Sequence, residues 1–177
     1  VIVFSLLRNA LGLLQTPPNQ VLIGLALFLS LFIMNPIISD INQNAYKPFS
    51  DGDISSKEFV ERAFAPLKDW MLKQTKPEDL NMFLNLSGGE RPQSVQDYPM
   101  TVVVPSFITS ELKRAFTIGF LLFLPFLIVD VVVASALMSM GMMMMPPATV
   151  ALPFKILLFI LVDGWGLVIR ALVQTYH

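Results

Sequence analysis

The 177-residue chain has no cysteine, a single histidine and few charged residues. Without cysteine it cannot form a disulfide, a thiolate nucleophile or a cysteine-based metal site. Its net charge of −1 comes with no basic stripe, which argues against nucleic-acid binding. The sequence contains no Gly-rich phosphate loop, metal-ligand pair or nucleophile–base constellation, so an enzyme is not expected. It begins at Val1 inside an apolar stretch, which we interpret as a fragment or processed form.

The scarcity of charge is concentrated in two parts of the chain. A soluble globular domain carries about 25% charged residues, whereas this chain carries 14% and is 54% hydrophobic. Residues 39–114 hold 20 of the 25 acidic and basic residues. We therefore expect a membrane-associated protein with apolar helices over residues 1–38, a soluble and mostly helical insert over 39–114, and a helical hairpin over 115–177. The charges outside the insert are Arg8, Asp130, Lys155, Asp163 and Arg170.

Three apolar stretches approach the roughly 20 residues that a membrane-spanning helix needs. They cover residues 21–38, 116–138 and 150–169, and prolines or charges interrupt each of the last two. The shorter stretch Val1–Leu14 is interpreted as the tail of a longer helix. Residues 15–20, QTPPNQ, should separate it from the next helix. The fold class that these patterns predict is all-α.

Within the insert, local signals predict short soluble helices. Ser55 and Glu58 have the spacing of a capping box, and Pro66 should kink or split the helix that follows. Pro77 suits the first turn of a second helix. Residues 101–104 are β-prone, so we place the start of the next long helix between residues 106 and 110. The insert carboxylates are interpreted as a solvated surface.

Asp130 and Lys155 lie equally far along the chain from the midpoint between Met142 and Met143. A hairpin that turns there brings both charges to the same depth, where a charge costs at least ~3 kcal/mol without a partner. We therefore expect them to pair, within one subunit or between neighbours; the alternative is that Lys155 reaches an interface alone. Asp163, roughly two helical turns beyond Lys155, is predicted to mark a polar seam between subunits.

The most unusual feature is a methionine run, residues 138–145. Six of the ten methionines fall within these eight positions. Methionine is flexible and polarizable, so a cluster forms an adaptable apolar surface. Such a patch must be covered, by a partner or by further copies converging on an axis. A Cu(I) site made of thioethers is another interpretation, although cysteine is lacking and His177 is distant.

Several segments together are very similar to the FliP family, which forms the core of the export gate of the bacterial flagellar type III secretion apparatus. The flagellar version is favoured over its injectisome counterparts. The matching segments are LRNALG (7–12), PPNQVLIGLALFL (17–29), TSELKRAF (109–116), FLPFLIVD (123–130), MGMMMMPP (140–147), LPFKILLF (152–159) and LVDGW (161–165).

This resemblance implies a non-enzymatic subunit without cofactor or metal. It would lie in the bacterial inner membrane at the flagellar basal body, with the insert on the periplasmic side. Implied partners are copies of itself in a pentameric ring, two small export-gate proteins (FliQ-like and FliR-like), a large gate protein (FlhB- or FlhA-like), membrane lipid and unfolded flagellar subunits; nucleic acid is not among them.

The resemblance also assigns roles to individual residues. It implies charged contacts between subunits at Glu111, Asp130 and Lys155. It further implies that the methionine loop lies inside the export channel and acts as a gasket. The gate residues would be Met138, Met140, Met142, Met143, Met144 and Met145.

Two other functions remain open at this point. The chain could serve a small-ion or Cu(I) transporter that uses its membrane charges and the methionine run. It could instead be a purely structural scaffold of the secretion base, in which the run has no sealing role. Replacing methionine by other apolar residues separates the first alternative from a gasket, because a thioether site would fail and a gasket would not.

Overall fold

The computed structural model describes residues 1–89, 92–142 and 144–176. No strand occurs in these ranges, and the expectation of an all-α fold is confirmed. The described residues also contain a π-helix (Asn42–Tyr46) and a 3₁₀ turn (Val95–Asp97). The α-helices in chain order are α1 (Ile2–Ala10), α2 (Asn19–Ile41), α3 (Lys47–Ser50), α4 (Ser56–Gln74), α5 (Pro77–Leu86), α6 (Met100–Ser139), α7 (Pro147–Leu161) and α8 (Gly164–Gln174).

The chain forms two compact units, and the first combines residues 1–29 with 115–177. Its core forms around α1, whose apolar residues recur at the spacing of a single helix face. That face is enclosed so well that Leu7 and Ala10 have no exposed surface. Trp165 packs edge-on to Phe159, with ring centroids 5.5 Å apart. The buried core residues are Val3, Phe4, Leu7, Ala10, Leu11, Leu22, Phe126, Phe159 and Val168.

The second unit comprises residues 30–114. Leu84, Tyr98, Val102 and Val103 form its buried cluster, and partly buried residues of α4 and α5 pack against them. Trp70 of α4 lies beside Phe107 of α6, with ring centroids 5.3 Å apart. Trp70, Met71 and Leu72 of α4 are thus used for packing within this unit.

Two helical segments are long and apolar enough to cross a membrane, Asn19–Ser50 and Met100–Ser139. The stretches 21–38 and 116–138 lie inside them. The third stretch, 150–169, breaks at Asp163, where α7 and α8 meet at an angle of 62°. A Cβ on Gly164 would overlap the Phe159 ring, so glycine permits the close approach that accompanies this bend.

The start of α6 contradicts two sequence predictions. The helix begins at Met100, so residues 101–104 are helical and the predicted start between residues 106 and 110 is wrong. Val102 and Val103 are almost completely buried in the second unit's core. That packing outweighs the β-preference of branched side chains, which depends strongly on context.

Helix starts in the insert follow the local signals more closely. The hydroxyl of Ser55 accepts the N–H of Glu58 at 3.3 Å, which confirms the N-cap half of the predicted capping box. The Glu58 carboxylate instead pairs with Arg62 at 2.7 Å. Helix α4 continues through Pro66, so of the two predicted effects, a kink or a split, the split does not occur. Helix α5 begins at Pro77, as predicted.

Candidate functional site

The methionine run begins in the last turn of α6 and ends next to α7. Gly141 has a φ of +72°, in the left-handed region. Its N–H donates to the carbonyl of Met138 at 3.1 Å, and the N–H of Met142 donates to the carbonyl of Leu137 at 2.9 Å. These two bonds form a Schellman motif, which ends the helix and turns the chain away from its axis.

The far end of the run is also defined by its backbone. Pro146 is the N-cap residue of α7, and Pro147 is the first helical residue. Proline suits that position because its fixed φ fits the helix and no N–H is needed there. The turn between α6 and α7 is therefore short and is held at both ends.

The described methionines of the run are all exposed, with exposed fractions between 43% and 98%. A soluble monomer rarely exposes so many apolar side chains together, and such a patch marks a contact surface. Unbranched thioether side chains can adapt to contact surfaces of different shape. The residues are Met138, Met140, Met142, Met144 and Met145; the predicted gate residue Met143 lies outside the described residues.

An apolar groove of about 490 Å³ lies beside the run, between α6 and α7. Met140 belongs to both the groove and the run. The other lining residues are Ile128, Val129, Val132, Val133, Ala136, Leu137, Val150 and Phe154.

The structure brings Asp130 of α6 and Lys155 of α7 together within one chain. The Lys155 ammonium lies 2.5 Å from Oδ2 of Asp130 and donates a second hydrogen bond to the Ala10 carbonyl at 3.1 Å. The Lys155 side chain is only 7% exposed, against 32% for Asp130. One cation therefore links the end of α1 to both arms of the hairpin.

Asp163 and Glu111 lie elsewhere. Asp163 is exposed and has a φ of +50°, and a Cβ on Gly166 would overlap its carboxylate. Glu111, in the second unit, pairs with Arg114 at 2.6 Å. Arg114 also donates to the side-chain oxygen and the backbone carbonyl of Gln74, at 3.1 and 3.2 Å. This cluster connects α6 to the end of α4.

A second polar cluster was missed by the sequence analysis. Asp79, at the start of α5, is 1% exposed, so the interpretation of every insert carboxylate as solvated is wrong. The hydroxyl of Ser110 donates to its Oδ2 at 2.6 Å, and the ammonium of Lys113 pairs with its other oxygen. The Ser110 hydroxyl also accepts the N–H of Lys76 at 3.0 Å.

Both donors favour the charged carboxylate, with Lys113 the stronger influence, so they lower the pKa of Asp79 below its ordinary value. The sequence signal was a polar stripe on α6, Ser106, Ser110 and Lys113, at the i, i+4, i+7 spacing of one helix face. The misplaced start of α6 concealed it.

No group of three or more His, Asp or Glu side chains suited to a metal ion occurs in residues 1–89, 92–142 and 144–176. The conspicuous chemistry of the hairpin is instead an apolar, thioether-rich tip above a buried ion pair. Together with the two long apolar helices, these features define a helical membrane protein with an exposed apolar turn between α6 and α7.

Comparison with known proteins identifies the family. The FliP family model matches residues 1–172. The Flagellar biosynthetic protein FliP of Bacillus subtilis (strain 168) is 54% identical over 176 residues, which cover 99% of this chain and 80% of that protein. The protein of the same name from Pectobacterium carotovorum is 52% identical over 177 residues, covering 100% of this chain and 69% of that protein. The chain belongs to the FliP family, and the resemblance read from its segments is confirmed.

Proposed function

We propose that this chain is a core subunit of the export gate of the bacterial flagellar type III secretion apparatus, closed at rest by the methionine run. Membership of the FliP family and the relatives' name, flagellar biosynthetic protein, support the flagellar assignment. The observation that carries the sealing role is the exposure of five described methionines at the tip of one hairpin.

The energetics of these side chains suit a reversible seal. Fully burying a methionine side chain is worth about 1.5–3 kcal/mol. Copies of the run that converge on an axis would gain this energy by closing on each other. An unfolded polypeptide that enters would replace methionine–methionine contacts with methionine–polypeptide contacts. The seal can therefore open around cargo of variable shape without exposing its apolar surface to water.

The hairpin below the tip supplies a stiff base. Lys155 is tied both to Asp130 and to the carbonyl of Ala10, within a closely packed core. Breaking this link leaves a buried charge without its partner, which is strongly unfavourable. The proposed seal therefore combines flexible methionine side chains with two helices, α6 and α7, that the buried ion pair holds together.

The proposed assembly is the one that the resemblance to the FliP family implies. The chain would form a ring, pentameric in our proposal, with FliQ-like and FliR-like small membrane proteins and a large FlhB- or FlhA-like gate protein. The ring would lie in the inner membrane at the flagellar basal body, with residues 39–114 on the periplasmic side. Glu111, Asp130, Lys155 and Asp163 are candidates for charged contacts between helices or subunits.

The absence of cysteine permits a direct test on the assembled apparatus. We would introduce Met144→Cys, at a side chain that is 98% exposed, and stall an export substrate that carries one cysteine of its own. A disulfide between the two is expected, because the run should line the export path. The matched control is Leu86→Cys, an exposed apolar residue at the end of α5 in the second unit.

A crosslink at residue 144 that is missing at residue 86 supports the proposal. If the substrate is stalled and residue 144 does not crosslink, the run is not on the export path, and the alternative of a purely structural scaffold is favoured. Replacing residues 142–145 by leucine distinguishes a gasket from the alternative of a Cu(I) site. A gasket keeps its apolar side chains and seals, whereas a thioether site loses its ligands.

A further inference from the structure

We propose that Gly141 is a positioning residue of the methionine seal. Its left-handed backbone, and not its small volume, sets the direction in which the run leaves α6. The inference rests on the proposed function and adds a residue that contributes no side chain to the seal.

The geometry of the helix end carries the argument. In its left-handed conformation Gly141 allows Met142 to donate its N–H to the carbonyl of Leu137, a residue only 6% exposed. The first residue of the loop is thus bonded to the last turn of α6, at a residue whose own side chain is buried. With Pro146 and Pro147 holding the other end, only four residues, 142–145, lie between the two fixed points.

An L-residue at position 141 prefers the right-handed region, in which α6 would continue. Each added helical residue rotates the next side chain by 100° and advances the chain by 1.5 Å. The bond from Met142 to Leu137 would be lost, and Met142 would point in a different direction. Because so few residues remain before Pro146, Met144 and Met145 would have to move as well.

No steric contact with the described residues requires a small side chain at this position. A Cβ built on Gly141 meets no atom of residues 1–89, 92–142 and 144–176 within 4 Å. A substitution should therefore act only through the backbone. The left-handed conformation is unfavourable for most L-residues by a factor of about 5 to 30, and asparagine tolerates it better.

A role of the Gly141 backbone predicts an order of effects that differs from the order of side-chain size. Gly141→Asn should seal almost as well as the parent, whereas Gly141→Ala should leak at least about fivefold more. Asparagine is larger than alanine, so a role based on space predicts the reverse. Gly24→Ala in α2 is the matched control, because a Cβ on Gly24 also meets no atom of the described part of the chain within 4 Å, but Gly24 lies in an ordinary helix.

The test measures passage of a small hydrophilic solute through complete export gates in closed membranes, divided by the amount of assembled complex. The proposal is supported if Gly24→Ala leaks as little as the parent, Gly141→Asn leaks about as little, and Gly141→Ala leaks well above both. Equal sealing by both Gly141 variants, or a greater leak with asparagine, overturns it.

A second measurement does not depend on assembly. In the purified full chain, amide hydrogen exchange at Met142 reports its bond to Leu137. Exchange should be about 5- to 30-fold faster in Gly141→Ala and near the parent rate in Gly141→Asn. An unchanged rate in the alanine variant contradicts the inference even if that variant fails to assemble.

A chain without residues 142–145 distinguishes this inference from the proposed function. If the deletion seals as well as the parent, the methionine run is not the seal and the proposed function fails. If the deletion leaks but Gly141→Ala does not, the seal stands and only the positioning role of Gly141 is overturned.

Discussion

The ion pair between α6 and α7 predicts unequal effects for its two partners. The Lys155 side chain is 7% exposed and that of Asp130 is 32% exposed. Asp130→Asn leaves a buried ammonium without its counter-charge, and such a loss costs about 3–5 kcal/mol. Lys155→Met leaves the Asp130 carboxylate, whose Oδ1 is buried without a hydrogen-bond partner but whose side chain is partly exposed, so it can turn towards water once the lysine is gone. The cost is therefore closer to that of one charged hydrogen bond, about 1.5–3 kcal/mol.

The double variant follows from the same reasoning. With Asp130→Asn and Lys155→Met combined, no unpaired charge remains, and methionine fills much of the space of the lysine stem. Replacing both members of a buried ion pair by uncharged groups is often nearly neutral. We expect the double variant to be more stable than Asp130→Asn alone, which makes the two effects clearly non-additive.

Thermal unfolding of the purified chain in detergent measures these differences. Trp165 packs against Phe159 in the same unit as the pair, so its fluorescence reports that unit once Trp70→Phe removes the other tryptophan. In a chain of this size, 1 kcal/mol shifts Tm by about 2–4 °C. A gap of about 2 kcal/mol between the single variants should separate their Tm values by about 4–8 °C.

Asp163→Asn is the matched control, because it removes an exposed carboxylate from the same unit. Asparagine tolerates the left-handed backbone at that position, and exposed substitutions usually change stability by less than about 0.5 kcal/mol. Equal Tm shifts for Asp130→Asn and Lys155→Met, or a larger shift for Lys155→Met, would refute the reasoning from burial.

Two further predictions concern packing and pH. Because the pKa of Asp79 is lowered in the folded chain, its contribution to stability should be present above the ordinary carboxyl pKa and lost as the pH falls through the folded value. Asp79→Asn should remove this pH-dependent part of the stability and cost about 1.5–3 kcal/mol. Urea unfolding from neutral to acid pH measures both effects. Gly164→Ala should destabilise by about 1–3 kcal/mol, since its Cβ would overlap the Phe159 ring, whereas Gly24→Ala should be neutral or stabilising by up to about 1 kcal/mol in the same thermal assay.

Much of the architecture could be predicted from local signals. Proline at residue 77 and serine at residue 55 mark helix starts because each satisfies the backbone of a first turn with its own atoms. The segments 21–38 and 116–138 could be recognised as candidate spans because length and hydropathy are properties of the sequence alone. The prediction failed at residues 101–104, where burial of Val102 and Val103 outweighed a local preference for strand.

The sequence by itself determined the helical class, the family, the methionine run and the equal distance of Asp130 and Lys155 from its centre, because each depends only on residue types and their spacing. Only the tertiary structure decided that Lys155 also binds the Ala10 carbonyl, that Asp79 is buried against Ser110 and Lys113, and that the chain bends sharply at Asp163 between α7 and α8. The first two features join residues far apart in the chain, and the bend depends on the close packing of the Phe159 ring against Gly164. Their energies arise from packing and desolvation, which no local pattern in the sequence contains.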